Sequence, residues 1–341
     1  MANISAKTIT QKDDWENFIA LHPEANFLHS WYWGDFHLRL GHRIERLGFY
    51  DDTRLVGVLL AIVEPAKRGR HIVIAGGPIL DWSRVELIQL LVQELRRIAQ
   101  QHRCLFVRVR PQLIDSPDVR RLFKNLGFIT SPMHVTADLT SQLDLTKSND
   151  ELKRQMRKGA RYDLNRSQKL GVEVEATMDE RYLQEFCDLQ LETARRQKFV
   201  SFSPKFLTEQ FRAFARDNKV VLYRASYQSK LLAMAFIIFY GSEAAYHYGA
   251  STELAREIPG AYAIQWEAIQ EARKQGCTRY NFWGVTEHGH TKHRFYGVSV
   301  FKRGFGGQDV AYLPARDLVV NRVKYPATYL FETIRRKARH L

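Results

Sequence analysis

This 341-residue chain is poor in cysteine: it has three, Cys104, Cys187 and Cys277, isolated from one another and odd in number. That excludes a disulfide framework, and with no paired C-x-x-C spacing it excludes a cysteine zinc site as well. Each sits in an apolar or helical stretch, so all three are expected as reduced core residues. Long apolar runs are also missing. No window of about 18 uncharged apolar residues exists, which excludes a membrane-spanning helix. The opening MANISAKTITQKDDW has no apolar h-region, which excludes a signal peptide and points to a cytoplasmic protein. No heptad run is sustained, so no long coiled-coil arm is expected. Acidic residues are scarce relative to basic ones, 37 against 51.

What is present is a basic globular chain. Hydrophobic residues make up 45% and aromatics 12%, and the length suits two domains with a core each. The net charge of +14 attracts nucleic acid, an anionic membrane surface or a phosphorylated substrate.

Hydrophobic periodicity reads as one α/β unit written twice. WYWGDFHLRLG (31–41) reads as a short helix, and strands at Ile44–Phe49 and Leu55–Glu64 pair across an Asp51-Asp52-Thr53 turn. A strand at His71–Ala75 follows, then a helix over Ser83–His102 and a returning strand at Cys104–Val109. The second copy has helices at Tyr182–Lys198 and Lys205–Asn218 and strands at Val220–Tyr227, Leu231–Tyr240 and Glu243–Ala250. A helix at Ala261–Gln275 and a strand at Arg279–Phe282 complete it. This alternation predicts α/β domains with mixed sheets, helices on both faces and ligands at strand ends. The seam is placed near residues 140–152, giving domains 1–145 and 146–341.

Two segments carry the chemistry. Tyr280–Gly307 (YNFWGVTEHGHTKHRFYGVSVFKRGFGG) interleaves aromatics, six glycines and the cations Lys292, Arg294, Lys302 and Arg303. Glycines admit a ligand to the backbone, and cations neutralise phosphate or a developing oxyanion. The same composition suits a glycine-rich β-hairpin with a solvated cationic face. The other segment, LKRQMRKGARYDLNRSQKLG (152–171), is the densest basic cluster. Read as one helix, it puts Lys153, Arg157 and Arg161 on one face, suited either to a phosphate backbone or to solvent.

Together, FLHSWYWGDF, GGPILDW, RKGARYDLNRSQKLGVEVE, LETARRQKF, YHYGAS, PGAYAIQWEAIQEARKQGCTRYNFWGV and VFKRGFGG resemble the Fem family of peptidoglycan-branching aminoacyltransferases, over nearly the whole chain. The resemblance implies two tandem GNAT-like domains, in the compact form without the coiled-coil arm. It implies transfer of an amino acid from aminoacyl-tRNA to an amine of a cell-wall precursor's stem peptide, on UDP-MurNAc-pentapeptide or lipid II, with no cofactor and no metal. Peripheral association with the membrane fits a lipid-linked acceptor.

The resemblance also nominates residues. Lys302, with Phe301 packed beside it, is the cation near the reacting ester or the terminal tRNA phosphates, and it is expected to be exposed. Lys153, Arg157, Arg161, Lys302 and Arg303 are expected to bind tRNA. Thr193, Arg195, Arg196 and Tyr248 are expected to meet the acceptor, as are Trp33 and His37. Two departures bear on the acceptor: no lysine lies between Lys12 and Lys67, and Gly76 stands where relatives carry arginine.

An amine attacking an aminoacyl ester needs positioning and positive charge more than a covalent intermediate. Asp35, Asp81, Asp138 and Glu287 are carboxylates that can be nominated as a base, alongside proton transfer assisted by the substrate. His288, His290 and His293 lack the accompanying carboxylates or cysteines of a metal site. Three rivals stay open: an acyl-CoA-dependent GNAT N-acyltransferase, a tRNA-dependent peptide ligase of a natural-product pathway, and a non-enzymatic RNA-binding protein. The first needs a pyrophosphate cradle at a helix N-terminus, where this chain has Arg256-Glu257-Ile258-Pro259-Gly260-Ala261.

Overall fold

The computed structural model describes residues 4–66, 69–197 and 199–338. The chain begins with β1 (Ile4–Thr8), α1 (Lys12–Ala20), α2 (Trp31–Arg39), β2 (Arg43–Asp51) and β3 (Arg54–Glu64). Then follow β4 (Arg70–Ala75), β5 (Ile79–Leu80), α3 (Val85–Gln101), β6 (Cys104–Arg110), α4 (Pro117–Asn125) and β7 (Phe128–Thr130). A second set has β8 (Leu139–Asp144), α5 (Asn149–Gln155), α6 (Lys158–Leu170), β9 (Glu173–Thr177), α7 (Tyr182–Gln197) and α8 (Pro204–Ala215). It continues through β10 (Val220–Tyr227), β11 (Lys230–Tyr240), β12 (Glu243–Ser251), α9 (Gly260–Lys274), β13 (Arg279–Gly284), α10 (Tyr296–Arg303) and β14 (Gln308–Ala311). The last elements are β15 (Arg316–Val319) and α11 (Tyr325–Ala338).

The two sheets share one plan. The first runs β1-β2-β3-β4-β6-β15-β7, with β5 on β3; the second runs β14-β8-β13-β12-β11-β10-β9. In each, antiparallel strands flank one parallel pair, β4 with β6 and β12 with β13. Parallel neighbours need a crossover, and α3 and α9 supply it. The duplicated unit expected from the sequence is therefore present, as two GNAT-like mixed sheets. Its expected strands and helices match in order and type; Lys198, the expected end of α7, lies outside the described residues.

Each crossover helix buries one stripe. Leu87, Leu91, Leu95 and Ile98 of α3 pack with Ile72, Ile74, Val107 and Val109 of the first sheet. Ile264, Ala268, Ile269 and Ala272 of α9 pack with Leu232, Ala235, Ile237 and Tyr280 of the second. At roughly 1.5–3 kcal/mol for each large aliphatic side chain, these stripes supply much of each unit's stability. The three cysteines are buried and unpaired.

Three sequence expectations are corrected. The units divide as Met1–Asp138 with Ala311–Leu341, and Leu139–Val310, so the chain's end returns to the first unit instead of closing the second. β15 inserts between β6 and β7, antiparallel to both. It is held there by Arg108 Nε and Nη2, each 2.8 Å from the buried Asp317 carboxylate. Such a return leaves no composition shift to read. Second, the glycine-rich segment does not fold back as a hairpin: after β13 the chain crosses a loop into α10, where Val298 and Phe301, with Phe305 just past the helix end, recur at helical spacing. Third, the basic segment is not one helix. Met156 and Arg157 are extended (ψ 139° and 140°), so Lys153 lies on α5, Arg157 caps α6 and Arg161 lies within it. The three do not share a helix face.

Gly76 shows why an arginine has no room. Its φ is +65°, and a Cβ there would come within 2.6 Å of Asn26 Oδ1 and 3.0 Å of Leu28 Cβ.

Candidate functional site

The second sheet opens where its parallel strands part. β12 and β13 pair only from Glu243–Arg279 to Ala245–Asn281, although β12 continues to Ser251 and β13 to Gly284. In the first sheet the equivalent pairing runs to the end of both strands, Ala75 with Arg110. Two irregularities produce the opening. His247 is an extra residue in β12, where Ile237 pairs with Tyr246 and Phe236 with Tyr248. Trp283 interrupts the pairing of β13 with β8 and takes φ +66°. A bulge bends its strand, and a non-glycine residue at positive φ carries about 1–3 kcal/mol of strain, so both features mark a built site.

A polar network fixes the floor of the opening. Glu243, buried at 2% exposure, accepts at one carboxylate oxygen from Arg279 Nε at 2.8 Å and Asn281 Nδ2 at 3.1 Å. Asn281 Oδ1 in turn accepts the Trp283 amide at 2.8 Å, holding the strained turn. Above it the rings of His247 and Trp283 meet edge to face at 5.4 Å.

Lys302 enters this opening from the last turn of α10. Its Nζ donates to the Gly284 carbonyl at 2.8 Å and lies 5.7 Å from the Tyr246 ring. The expectation of an exposed lysine is overturned: it is 9% exposed, and burial pushes its ammonium down to about 7. Burial, and then the nearby Lys302 charge, holds the His247 imidazole down to about 3, so it is neutral at physiological pH. Burial raises the phenol of Tyr246 to about 12 and that of Tyr248 further. Phe301 faces away from the opening, against Tyr262 at 4.9 Å and Phe305 at 5.5 Å, and so positions α10.

The other nominated residues divide between structure and surface. Thr193 Oγ1 donates to the Ser251 carbonyl and accepts the Ser251 amide, both at 3.1 Å, pinning α7 to the end of β12. Arg196 also binds the Ser251 carbonyl, its hydroxyl at 3.2 Å and Glu253 at 3.6 Å. Arg195 is exposed. The Tyr248 hydroxyl donates to Gln210 Oε1 at 3.0 Å, and its ring packs on Phe202 and Phe236. Arg303 is taken up by Asp309, at 2.6–3.1 Å, and by the Thr286 carbonyl. Lys153 lies 5.1 Å over the Trp266 ring, Arg157 is exposed, and Arg161 is half-buried.

Trp33 and His37 lie in the first unit, on α2, at 8% and 5% exposure. Their rings pack 5.2 Å apart, and His37 Nδ1 sits 2.8 Å from His42 Nδ1. Of the nominated bases, Asp35 is bound by Arg46 at 2.7 Å, Asp81 by Ser83 at 2.6 Å and Asp138 by His134 at 2.5 Å. Glu287 is exposed beside His290. Tyr246, His247, Asn281 and Trp283 escaped sequence reasoning. Their signal was the aromatic run ahead of each glycine, in YHYG and NFWG, which marks a strand leaving its partner.

The crossover helix offers no pyrophosphate cradle. Pro259 has no N–H, and the Gly260 amide donates to the Ile258 carbonyl at 2.8 Å.

The chain matches the FemAB family over residues 10–117, 124–231 and 223–333. It belongs to the FemAB family. "Aminoacyltransferase FemB" of Staphylococcus epidermidis is 23% identical over 87% of this chain and 89% of its own length. "Aminoacyltransferase FemA" of Staphylococcus aureus (strain bovine RF122 / ET3-1) is 22% identical over 88% and 94%. Among solved structures, FemX superposes with a TM-score of 0.85 at 18% identity, covering 96% of this chain and all of that one. A tandem GNAT protein from the clavulanic acid biosynthesis pathway superposes at 0.61 and 11% identity, over 93% and 99%. The tandem GNAT-like fold of this FemAB chain is thereby established.

Proposed function

We propose that this FemAB chain is an aminoacyltransferase that extends the stem peptide of a peptidoglycan precursor, taking its amino acid from aminoacyl-tRNA. The observation that carries the reading is the parted β12–β13 pair with Lys302 lodged in it. The full-length relatives FemA and FemB are aminoacyltransferases by name, and they match most of this chain.

In this reading the acceptor amine attacks the ester carbonyl carbon. A C–N bond forms, the C–O bond to the ribose breaks, and the ribose oxygen leaves with the proton the amine gives up. The Lys302 ammonium stabilises negative charge on the carbonyl or departing oxygen, in a site whose floor is already fixed. Burial and the Lys302 charge disfavour protonation of His247, which makes it a weak base, and Tyr246 keeps its proton; proton transfer from amine to leaving oxygen within the substrates fits best.

Arg195, exposed where Arg196 is tied to Ser251, is the arginine assigned to the acceptor's phosphates. The exposed cations Arg157, Lys158, Arg166 and Lys169, at the start of α6 and along it, are assigned to the tRNA backbone with Lys153 and Arg161. Among the described residues no helix is long and apolar enough to cross a membrane. Action at the cytoplasmic side, on a soluble precursor or at the membrane surface, suits this reading.

The test offers radiolabelled amino acids on total tRNA, with UDP-MurNAc-pentapeptide or lipid II as acceptor and acetyl-CoA as a parallel donor. Label moving from tRNA to the precursor supports the reading and identifies the amino acid. Transfer from acetyl-CoA alone, or tRNA binding without transfer, overturns it.

A further inference from the structure

The first unit carries a cluster of metal-ligand side chains that the transfer reaction does not use. On one face of its sheet, His42 lies one step before the Arg43–Val63 pair, which sets it opposite Glu64; Glu64 in turn pairs with His71. Residues opposite one another in adjacent strands project to the same face. His37 reaches the same place from the last turn of α2. One ligand atom from each of His37, His42 and Glu64 falls within 4.8 Å of the others. We propose that His37, His42 and Glu64 bind a zinc-class divalent cation that staples α2 to the rim of the first sheet.

The donor set suits that class. Two imidazoles and a carboxylate are zinc ligands, and bonds of about 2.0–2.1 Å in a tetrahedral site put ligand atoms roughly 3.3 Å apart. The His37 and His42 Nδ1 atoms are 2.8 Å apart, so a small side-chain movement admits the ion. His37 also holds a buried nitrogen, Nε2, without a hydrogen-bond partner among the described residues. His71 Nε2 lies 3.8 Å from the Glu64 carboxylate, beyond hydrogen-bond distance, and is not counted among the ligands. Arg108 is the cation on this face, and its charge is met by Asp317 at 2.8 Å and Glu332 at 2.7 Å. Three protein ligands leave a fourth position for water.

The test uses the tag-free full chain, stripped with a chelator and reloaded with Zn2+ or Co2+. About one zinc per chain is expected, with the visible absorption of tetrahedral Co2+. His42→Gln and Glu64→Gln should each weaken binding at least about tenfold, the loss that even outer-shell changes cause. The exposed His288 and His290 serve as the control for adventitious surface binding, so His288→Ala/His290→Ala should leave stoichiometry and spectrum unchanged. The proposal is overturned if the wild type binds no zinc, if its Co2+ spectrum is that of the hydrated ion, or if binding disappears with His288 and His290 while surviving Glu64→Gln. Because the spectrum is read on the wild type, a variant that fails to fold does not stop the test. Metal content and the Co2+ spectrum are both read separately from amino acid transfer.

Discussion

Replacing Lys302 with methionine separates the two consequences of its burial. Methionine keeps the length and apolar stem but removes the ammonium. In the folded protein that ammonium titrates at about 7 instead of 10.5. The unfolded chain therefore binds the proton more readily, and stability falls as pH drops from 10.5 toward 7 and is flat below. At about 1.4 kcal/mol per pH unit, the cost at and below neutral pH is on the order of 5 kcal/mol. Methionine removes that cost and leaves the Gly284 carbonyl without its donor, which gives back about 1–3 kcal/mol. The net expectation is a variant more stable by roughly 3 kcal/mol at pH 6, and no more stable than wild type near pH 10. Denaturant melts at the two pH values measure this directly. Transfer from aminoacyl-tRNA should fall about 10²–10³-fold, the loss typical when one oxyanion donor is removed. A variant less stable by the same amount at both pH values, or one with wild-type turnover, would refute the reasoning. Alanine is the poorer probe: Lys302 is buried, so truncation adds a cavity to the lost charge.

If protonated Lys302 is the working form, transfer should decline as pH rises through about 7, and the decline should be absent from the residual activity of Lys302→Met. Arg195→Ala should raise KM for the phosphorylated acceptor about tenfold with no change in Tm, whereas Arg196→Ala should lower Tm by freeing the Ser251 turn; equal effects on KM would sink the assignment. Asp317→Ala leaves Arg108 buried without its bidentate partner and should cost about 3–5 kcal/mol in urea unfolding, with a loss under 1 kcal/mol refuting the account of how β15 is held. Neutralising Arg157, Lys158 and Arg166 together should flatten the salt dependence of tRNA binding by roughly two to three in log–log slope; an unchanged slope would place the tRNA elsewhere.

The duplicated plan was legible because buried strands and crossover helices announce themselves by periodicity: Leu231–Tyr240 and Val85–Gln101 are apolar at the spacing their geometry requires. The return of the chain end was not, since Arg316–Val319 is four residues long and its place depends on a partner, Arg108, two hundred positions away. The break at Met156–Arg157 was hidden as well, because neither residue is a glycine or proline and a basic run reads as helix throughout. Lys302 was nominated through its motif, but its surroundings were misjudged: lysine is rarely buried, and only the parting of β12 from β13 creates the place it occupies. His37 was nominated through the resemblance alone; its burial was not legible, because the inward turn of that face of α2 depends on packing with its neighbours Trp33 and Phe36.

The strand at the end of the chain also dictates an order of assembly. The second unit, Leu139–Val310, is one uninterrupted segment and has all of its sheet strands once residue 311 has left the ribosome. The first unit, though translated first, must wait: until β15 arrives, β6 has an open edge, β7 has no neighbour, and Arg108 has no carboxylate from Asp317 or Glu332. The N-terminal half of the message thus finishes folding last, with a later-made unit already in place.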